Sequence, residues 1–326
     1  MLRMKPMQII SAALAIAAAC SIGPAYAQDN VNVRFSWKLK GEFAALFMAK
    51  EAGYYKKENL TVSLGEGAGA PAALGALLQG QEDVVIIPGI FALTAIQKGM
   101  PIRIVALYHP KTPFVFISHA DRPIRTPKDL EGKTLGTSVG DTTTSYLDLF
   151  CNVNKVDCSK IKKVQMNGQA LVPQFLTRQI DSTSVYRSND LPALQQRVPG
   201  LVTLDLVEFG MSIPGMAAVT SDANIAKRPD VLKRFLAATA AGFRDSKNDV
   251  GGAAKAILKN WSGGPDLPTV QGQVKATMDA VPVYPGKSIG WIDEALIAAT
   301  LEMMKSVGEI DNPKPASSFF TNAMLQ

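Results

Sequence analysis

Short apolar segments alternate with longer amphipathic segments through most of the chain. Residues 31–37 alternate apolar and polar side chains with the period of a half-buried strand, and residues 42–54 then carry Phe43 and Phe47 at helical spacing. The strand predicted at 83–87 contains the continuous apolar run VVII at 84–87, which is typical of a short strand covered on both faces. Strands and helices that alternate in this way predict an α/β fold whose sheets are mostly parallel.

The same periodicities predict the remaining elements. The region 211–219 is interpreted as a crossing back to an earlier part of the fold, and the segment after it is mostly helical. Further strands are predicted at 60–66, 102–108, 114–117, 134–138, 162–166 and 182–186. Further helices are predicted at 71–79, 91–98, 143–154, 171–178, 191–197, 229–247, 252–260, 267–278, 289–306 and 316–325.

The order of these elements predicts two α/β units, with the second inserted into the first. We expect a first lobe built from residues 28–118 and 215–326, and a second lobe built from residues 119–214. Ligands of open α/β sheets bind outside the carboxyl ends of the strands, so a cleft between the lobes is the expected binding site. Two crossings between the lobes would form a hinge that allows closure around a ligand.

The first 27 residues have the pattern of a secretory signal peptide. Arg3 and Lys5 precede an apolar stretch at 9–19 that is too short to span a bilayer. The sequence Ala-Tyr-Ala at 25–27 then offers a small-x-small cleavage site, so we expect cleavage after residue 27. Lipidation of Cys20 is the alternative, but the leucine usually found three residues before such a cysteine is missing, so a soluble exported product is expected.

Composition and charge exclude several classes of protein. No later stretch approaches the ~20 continuous apolar residues of a membrane span. The chain has 34 Lys and Arg against 28 Asp and Glu, and two of the cationic residues lie in the predicted signal peptide. The small remaining excess is spread along the chain and does not indicate nucleic-acid binding.

Cysteine and histidine usage fits an oxidising compartment. After cleavage only Cys151 and Cys158 remain, and such a pair is expected to form a disulfide, with two separate buried thiols as the alternative. The two histidines, His109 and His119, have no ligand-like spacing to the cysteines. No metal site and no cofactor are therefore expected.

Candidate ligand-binding residues of the first lobe follow predicted strands. The glycine-rich turn before Pro71 leaves backbone N–H groups free at a helix start, which suits an anionic or carbonyl-bearing ligand, although glycine also serves any tight turn. Trp37 and Phe43 offer flat faces to an aromatic ligand, with core packing as the alternative. The candidates are Trp37, Lys38, Phe43, Gly69, Ala70, Gly89 and His109.

The second lobe repeats this arrangement of strand ends and helix starts. Asp141 and Thr142 precede a predicted helix, where a plain helix cap is the alternative to ligand contact. Arg187 follows a strand and could grip a carboxylate or sulfonate with two hydrogen bonds, with a surface salt bridge as the alternative. The candidates are Ser138, Asp141, Thr142, Thr143, Tyr186, Arg187 and Asn189.

Three segments resemble motifs of a known family. Residues 49–62 (AKEAGYYKKENLTV) are similar to the A-x-E-x-G-Y-Y-K-x-E-G-L-x-V segment of the NMT1/THI5-like periplasmic binding proteins. Residues 80–84 (GQEDV) and 126–133 (TPKDLEGK) resemble two further motifs, whereas residues 178–182 (RQIDS) depart from the family pattern. The resemblance implies a type II two-lobed periplasmic binding fold, the role of solute-binding subunit of an ABC importer, a membrane permease as partner, and a monomer.

The motifs serve the scaffold, so the resemblance leaves the ligand open. Aromatic carboxylates, alkylsulfonates and pyrimidine precursors all fit a cleft with an arginine, hydroxyls and a tryptophan, and Lys38 and Arg187 favour an organic anion. One branch resembling this family makes the thiamine pyrimidine, but its cysteine-rich motif and dedicated histidine have no counterpart here, so an enzyme is not expected. A binding protein that reports to a membrane receptor would share the same fold.

Overall fold

The computed structural model describes residues 28–325, which form two five-stranded mixed sheets flanked by helices. The predicted signal peptide and Cys20 lie outside these residues. The strands are β1 (Asp29–Phe35), β2 (Leu60–Gly65), β3 (Val84–Pro88), β4 (Ile102–Leu107), β5 (Phe114–Ser118), β6 (Thr134–Thr137), β7 (Lys162–Gln165), β8 (Ser182–Tyr186), β9 (Val202–Asp205) and β10 (Met216–Ser221).

Helices connect most of the strands and fill the carboxyl-terminal part of the chain. Within the described residues, short 3-10 turns supplement them. The helices are α1 (Ala44–Glu51), α2 (Tyr54–Lys57), α3 (Ala70–Leu78), α4 (Gly89–Gln97), α5 (Thr142–Ser145), α6 (Leu147–Asn154), α7 (Leu171–Leu176), α8 (Leu191–Arg197), α9 (Asp222–Lys227), α10 (Pro229–Asn248), α11 (Val250–Leu258), α12 (Leu267–Ala280) and α13 (Glu294–Ser306).

The first sheet has the strand order β2-β1-β3-β10-β4. β1 is parallel to β2 and β3, whereas β10 runs antiparallel between β3 and β4. β3 is buried along its whole length, as its continuous apolar run predicts. Since β10 follows the second sheet in the chain, the polypeptide returns to the first sheet after completing the second, which agrees with the predicted crossing.

The second sheet has the order β7-β6-β8-β5-β9. β6 is parallel to β7 and β8, and β5 is antiparallel to β8 and β9. β5, which the predicted division assigned to the first lobe, therefore pairs inside this sheet, and β9 was not predicted. The two chain crossings between the sheets follow β4 and β9.

Four predicted helices differ from the structure, and one of them, predicted at 143–154, is divided at Tyr146 into α5 and α6. The helix predicted at 42–54 is interrupted, because Gly53 adopts a left-handed conformation with φ of 74° between α1 and α2. The helix predicted at 289–306 begins at Glu294, where the Asp293 carboxylate accepts from the amide of Ala295. The prediction of a helix at 316–325 is wrong. After a 3-10 turn at Ala316–Ser318, the backbone instead pairs with the edge strand β4.

The predicted disulfide is confirmed. Cys151 and Cys158 are bonded, with Cα atoms 5.8 Å apart, and the bridge ties the end of α6 to the turn that follows it. Within residues 28–325 no helix is long and apolar enough to cross a membrane.

Candidate functional site

A cleft of about 550 Å³ lies between the two sheets and is lined by residues from both. It opens at the carboxyl ends of the strands, since Ser36 follows β1, Pro88 ends β3, Ser138 follows β6 and Tyr186 ends β8. This is the position where ligands of open α/β sheets bind. Eight of the predicted ligand-binding residues line it: Trp37, Lys38, Ala70, Ser138, Asp141, Thr142, Tyr186 and Asn189.

The turn after β1 forms one wall of the cleft. The carboxylate of Glu66 fixes this turn by accepting hydrogen bonds from the Leu39 amide at 2.9 Å and from Lys38 Nζ at 3.1 Å. The Leu39 amide is the main reason why the pKa of Glu66 lies below its usual value. The indole of Trp37 reaches across to Gly168, where a Cβ would come within 2.7 Å of it. Gly168 is therefore required for this close approach.

An ion pair crosses the cleft between the lobes. Lys40 Nζ lies 2.9 Å and 3.1 Å from the two carboxylate oxygens of Asp190, and 5.7 Å from the centre of the Tyr186 ring. Lys40 precedes the first-lobe helix α1, whereas Asp190 directly precedes α8 in the second lobe. Both side chains are partly buried, so their attraction is screened less than that of a surface pair.

Glu42 lines the cleft beside this ion pair and is only 4% exposed. Burial raises the pKa of its carboxyl from 4.5 to about 7; the positive charge of Lys40 opposes this effect and the negative charge of Asp190 adds to it. The carboxyl therefore exchanges its proton close to neutral pH.

The lobes touch at two glycines. Gly69 precedes α3 with φ of 116° and Gly140 precedes α5 with φ of 77°. A Cβ on either glycine would lie 3.2 Å from the Cα of the other. On another side of the interface, the hydroxyl of Tyr146 lies 2.9 Å from Thr94 Oγ1 and donates to the carbonyl of Ile90 at 3.2 Å. These contacts join the two lobes.

Asp141 combines the predicted helix cap with a position on the cleft. Its carboxylate accepts from the amide and the hydroxyl of Thr144, both at 2.8 Å, and so begins α5. Burial raises the pKa of Asp141, and the hydrogen bonds from Thr144 oppose this rise. Both interpretations offered by the sequence, cap and cleft residue, are compatible with this geometry.

Asn189 has an unpartnered amide. The residue is 3% exposed, and neither Oδ1 nor Nδ2 has a hydrogen-bond partner within the described part of the chain. Its backbone carbonyl accepts from Gln273 Nε2 at 3.3 Å, and Gln273 Oε1 accepts from the Gly41 amide at 2.9 Å. Gln273 of α12 thus connects both lobes at this end of the cleft.

Four predicted residues are placed in or beside the core and outside the cleft lining. Phe43 stacks on Phe35 with ring centres 4.2 Å apart. Gly89 lies against Pro214, and Thr143 is buried within α5. Gly69 meets the opposite lobe, as described above, and does not line the cavity.

His109 and Arg187 also lie outside the cleft lining. His109 is buried at the first crossing, and burial lowers the pKa of its imidazole to about 4. Arg187 is half exposed and forms an ion pair with Asp205 at the end of β9. The surface salt bridge that the sequence left open for Arg187 is therefore present.

Several lining residues were missed by sequence reasoning. Lys40 and Glu42 lie between the predicted candidates Lys38 and Phe43, so including the whole segment would have found them. Trp261 lies between α11 and α12, and Gln273 lies on α12, far along the chain, where nothing in the local sequence indicates a cleft. The other missed residues include Phe114, Gln169, Leu171, Val172, Asp190 and Arg197.

Two mixed α/β sheets joined by two crossings, with a cleft between their strand ends, define the class of two-lobed α/β proteins of the periplasmic binding type. Within that class, the family model described as NMT1/THI5 like matches residues 40–249, and the chain belongs to this family.

The following proteins are similar to this chain in sequence or in fold. The riboflavin-binding protein RibY of Chloroflexus aurantiacus is 23% identical over 306 residues, which cover 91% of this chain and 86% of RibY. The alkanesulfonate-binding protein SsuA from Xanthomonas axonopodis pv. citri, solved bound to MOPS, has a TM-score of 0.67 at 16% identity and is matched over 90% of this chain and 98% of SsuA. The desulfurization enzyme DSZB has a TM-score of 0.61 at 13% identity, over 91% and 97%.

Proposed function

We propose that this protein is the solute-binding subunit of an ABC importer, which captures a small organic molecule in the periplasm and delivers it to a membrane permease. The observation that carries the proposal is the cleft of about 550 Å³ whose walls come from both lobes. Membership of the NMT1/THI5-like family and the similarity to RibY and SsuA support it. The proposal includes export by the signal peptide at 1–27 and a lobe division at the two crossings that follow β4 and β9, the first of which lies ahead of the predicted boundary at residue 118.

Capture follows from the way the lobes meet. A ligand that contacts Trp37 in one lobe and Ser138 in the other has its full set of contacts only when the lobes are closed. Such a ligand shifts the equilibrium toward the closed form by its differential affinity for the two forms. The closed form would then present one continuous surface to the permease.

The cations in and near the cleft bear on the choice of ligand. Lys38 is paired with Glu66, Lys40 with Asp190, and Arg187, outside the cleft, with Asp205. Because Lys38 and Arg187 carried the preference for an organic anion, these pairings weaken it. The proposed ligand class therefore widens to uncharged aromatic and heterocyclic molecules, with sulfonates and aromatic carboxylates retained as candidates.

Binding without chemistry is the proposed role of the cleft. The described residues around it supply aromatic faces, hydroxyls, amides and the carboxyls of Glu42, Asp141 and Asp190, and the imidazoles of His109 and His119 are not among its lining. DSZB is an enzyme of the same fold, so a fold likeness alone does not decide between the two roles.

A thermal-shift screen tests the proposal. Protein spanning residues 28–326, refolded to remove any bound ligand, is screened against flavins, pyrimidines, sulfonates and aromatic carboxylates. A ligand at 1,000 times its dissociation constant stabilises the folded state by ~4 kcal/mol, so the midpoint should rise by several degrees. Trp37→Ala should abolish the shift, whereas Trp291→Ala, which removes a tryptophan outside the cleft, should retain it. Absence of any response across the panel would contradict the proposed role.

A further inference from the structure

One end of the cleft is built from two short segments that meet across the lobes. Residues 40–42 come from the first lobe and residues 189–190 from the second. They are joined by the Lys40–Asp190 ion pair and by the side chain of Gln273, which accepts from the Gly41 amide and donates to the Asn189 carbonyl. Glu42 and Asn189 flank these bonds, so both belong to the same end of the cleft.

Asn189 brings an unpaired amide to this end. Its side chain offers one carbonyl acceptor and an NH₂ group with two donors. Since the residue is 3% exposed and neither amide atom has a partner among residues 28–325, folding removes both atoms from bulk solvent without compensation from the protein. Buried polar groups are nearly always hydrogen-bonded, so a molecule bound in the cleft is the natural partner.

Glu42 adds a buried carboxyl to this end. It lines the cleft and is 4% exposed. The charged groups that act on it are Lys40 and Asp190. A carboxyl that exchanges its proton near neutral pH can donate a hydrogen bond as an acid or accept one as a carboxylate.

The fixed charges at this end disfavour an anion. Lys40 is neutralised by Asp190, and an incoming carboxylate or sulfonate would meet the Asp190 and Glu42 carboxyls without a free cation beside them. The other lining cations are Lys38, which is paired with Glu66, and Arg197, which ends α8, seven residues and about 10 Å of helix from Asp190. An anionic group of the ligand would therefore lie toward Arg197, away from Asn189.

We propose that this end of the cleft recognises an uncharged ring with a hydrogen-bond donor beside an acceptor on one edge, as in an amide. Asn189 and Glu42 determine this specificity. Cyclic amides, imides and amino-substituted nitrogen heterocycles have such an edge. Trp37, Phe114 and Tyr186 line the same cleft and offer flat faces to the ring. The inference rests on the proposed solute-binding function and specifies its ligand class.

Matched pairs of amides and acids test this inference by titration calorimetry on the stripped protein. Nicotinamide is compared with nicotinate, and uracil with orotate, its 6-carboxylate. In each pair the uncharged member should bind at least about tenfold more tightly, since loss of one buried hydrogen bond corresponds to roughly that factor. Asn189→Leu should weaken binding of the uncharged member at least about tenfold, while Asn152→Leu, at an exposed site on α6, should leave it unchanged.

A second variant separates recognition from folding. Glu42→Gln removes the titratable carboxyl and keeps a hydrogen-bonding side chain of similar size, so the pH dependence of amide binding between pH 6 and 8 should be lost. Circular dichroism checks that each variant is folded. If Asn189→Leu fails to fold, Asn189→Asp is used as the smaller change, and Asn189→Asp should also weaken binding of the amides because it adds a carboxylate.

The outcomes distinguish the inference from the proposed function. Tighter binding of the acids, or binding of alkanesulfonates alone, would overturn the amide-edge specificity while leaving the solute-binding role intact. Equal affinity of the wild-type protein and Asn189→Leu for the amides would remove Asn189 as the determinant. Failure of every amide, acid and sulfonate to bind would count against both.

Discussion

The pH dependence of stability in Glu42→Gln tests the electrostatics of the cleft most sharply. Glu42 is nearly fully buried beside Asp190, and its carboxyl has a pKa of about 7 in the folded protein against an ordinary value of 4.5. Glutamine has nearly the same size and shape but does not titrate. The substitution therefore removes the ionisation with little change in packing.

The sign and size of the effect follow from proton linkage. Because the folded-state pKa is raised, the folded protein holds the Glu42 proton more tightly than the unfolded chain does. This contribution to stability is complete below pH 4.5 and is lost as the pH rises through about 7. At ~1.4 kcal/mol for each pKa unit, the total loss is about 3 kcal/mol. The free energy of unfolding of Glu42→Gln should not show this loss.

Urea unfolding of the ligand-free protein at several pH values between 4.5 and 8 provides the assay. The free energy of unfolding of Glu42→Gln minus that of the wild type should increase by about 3 kcal/mol across this range. Other titrating groups, including His109, are common to both proteins and cancel in the difference. Glu302→Gln, at an exposed position of α13, is the matched control and should follow the wild type. A difference that does not vary with pH would refute the assignment of a near-neutral pKa to Glu42.

Two further predictions concern the lobe contact and the disulfide. Gly69→Ala places a Cβ 3.2 Å from the Cα of Gly140, at a residue whose positive φ disfavours any side chain. It should therefore weaken ligand binding at least about tenfold, as measured by calorimetry. Gly80→Ala is the control: Gly80 also has a positive φ but has open space around it, so this variant should bind the ligand normally. Reduction of the Cys151–Cys158 bond should lower the free energy of unfolding by about 2 kcal/mol in urea titrations, and an unchanged midpoint would contradict a stabilising role.

The strand and helix pattern predicted most of the architecture because periodicity reports directly which face of an element is buried. β3 is an example, since its five residues are continuously apolar and all buried. The segment 316–325 shows the limit of this reasoning. Its apolar residues suit a helix, but Phe320 instead pairs with Ile104 at the open edge of β4, and an open sheet edge is not visible in a local pattern.

The candidate site was predicted in part, for a similar reason. Residues at strand ends, such as Trp37 and Ser138, could be found because the strands themselves were found. Arg187 also follows a strand, but its partner Asp205 belongs to β9, which the sequence pattern did not reveal. Gln273 reaches the cleft only through the packing of a helix that is remote in sequence from both lobes' strand ends.

The most direct test of the solute-binding account is calorimetry of the stripped protein with the ligand class that the thermal-shift screen identifies, followed by mass spectrometry of the recovered ligand. The account predicts saturable binding of one molecule per chain, loss of binding in Trp37→Ala, and recovery of the ligand with its mass unchanged. Failure to bind any compound of the panel, or conversion of the ligand to a product of different mass, would contradict it.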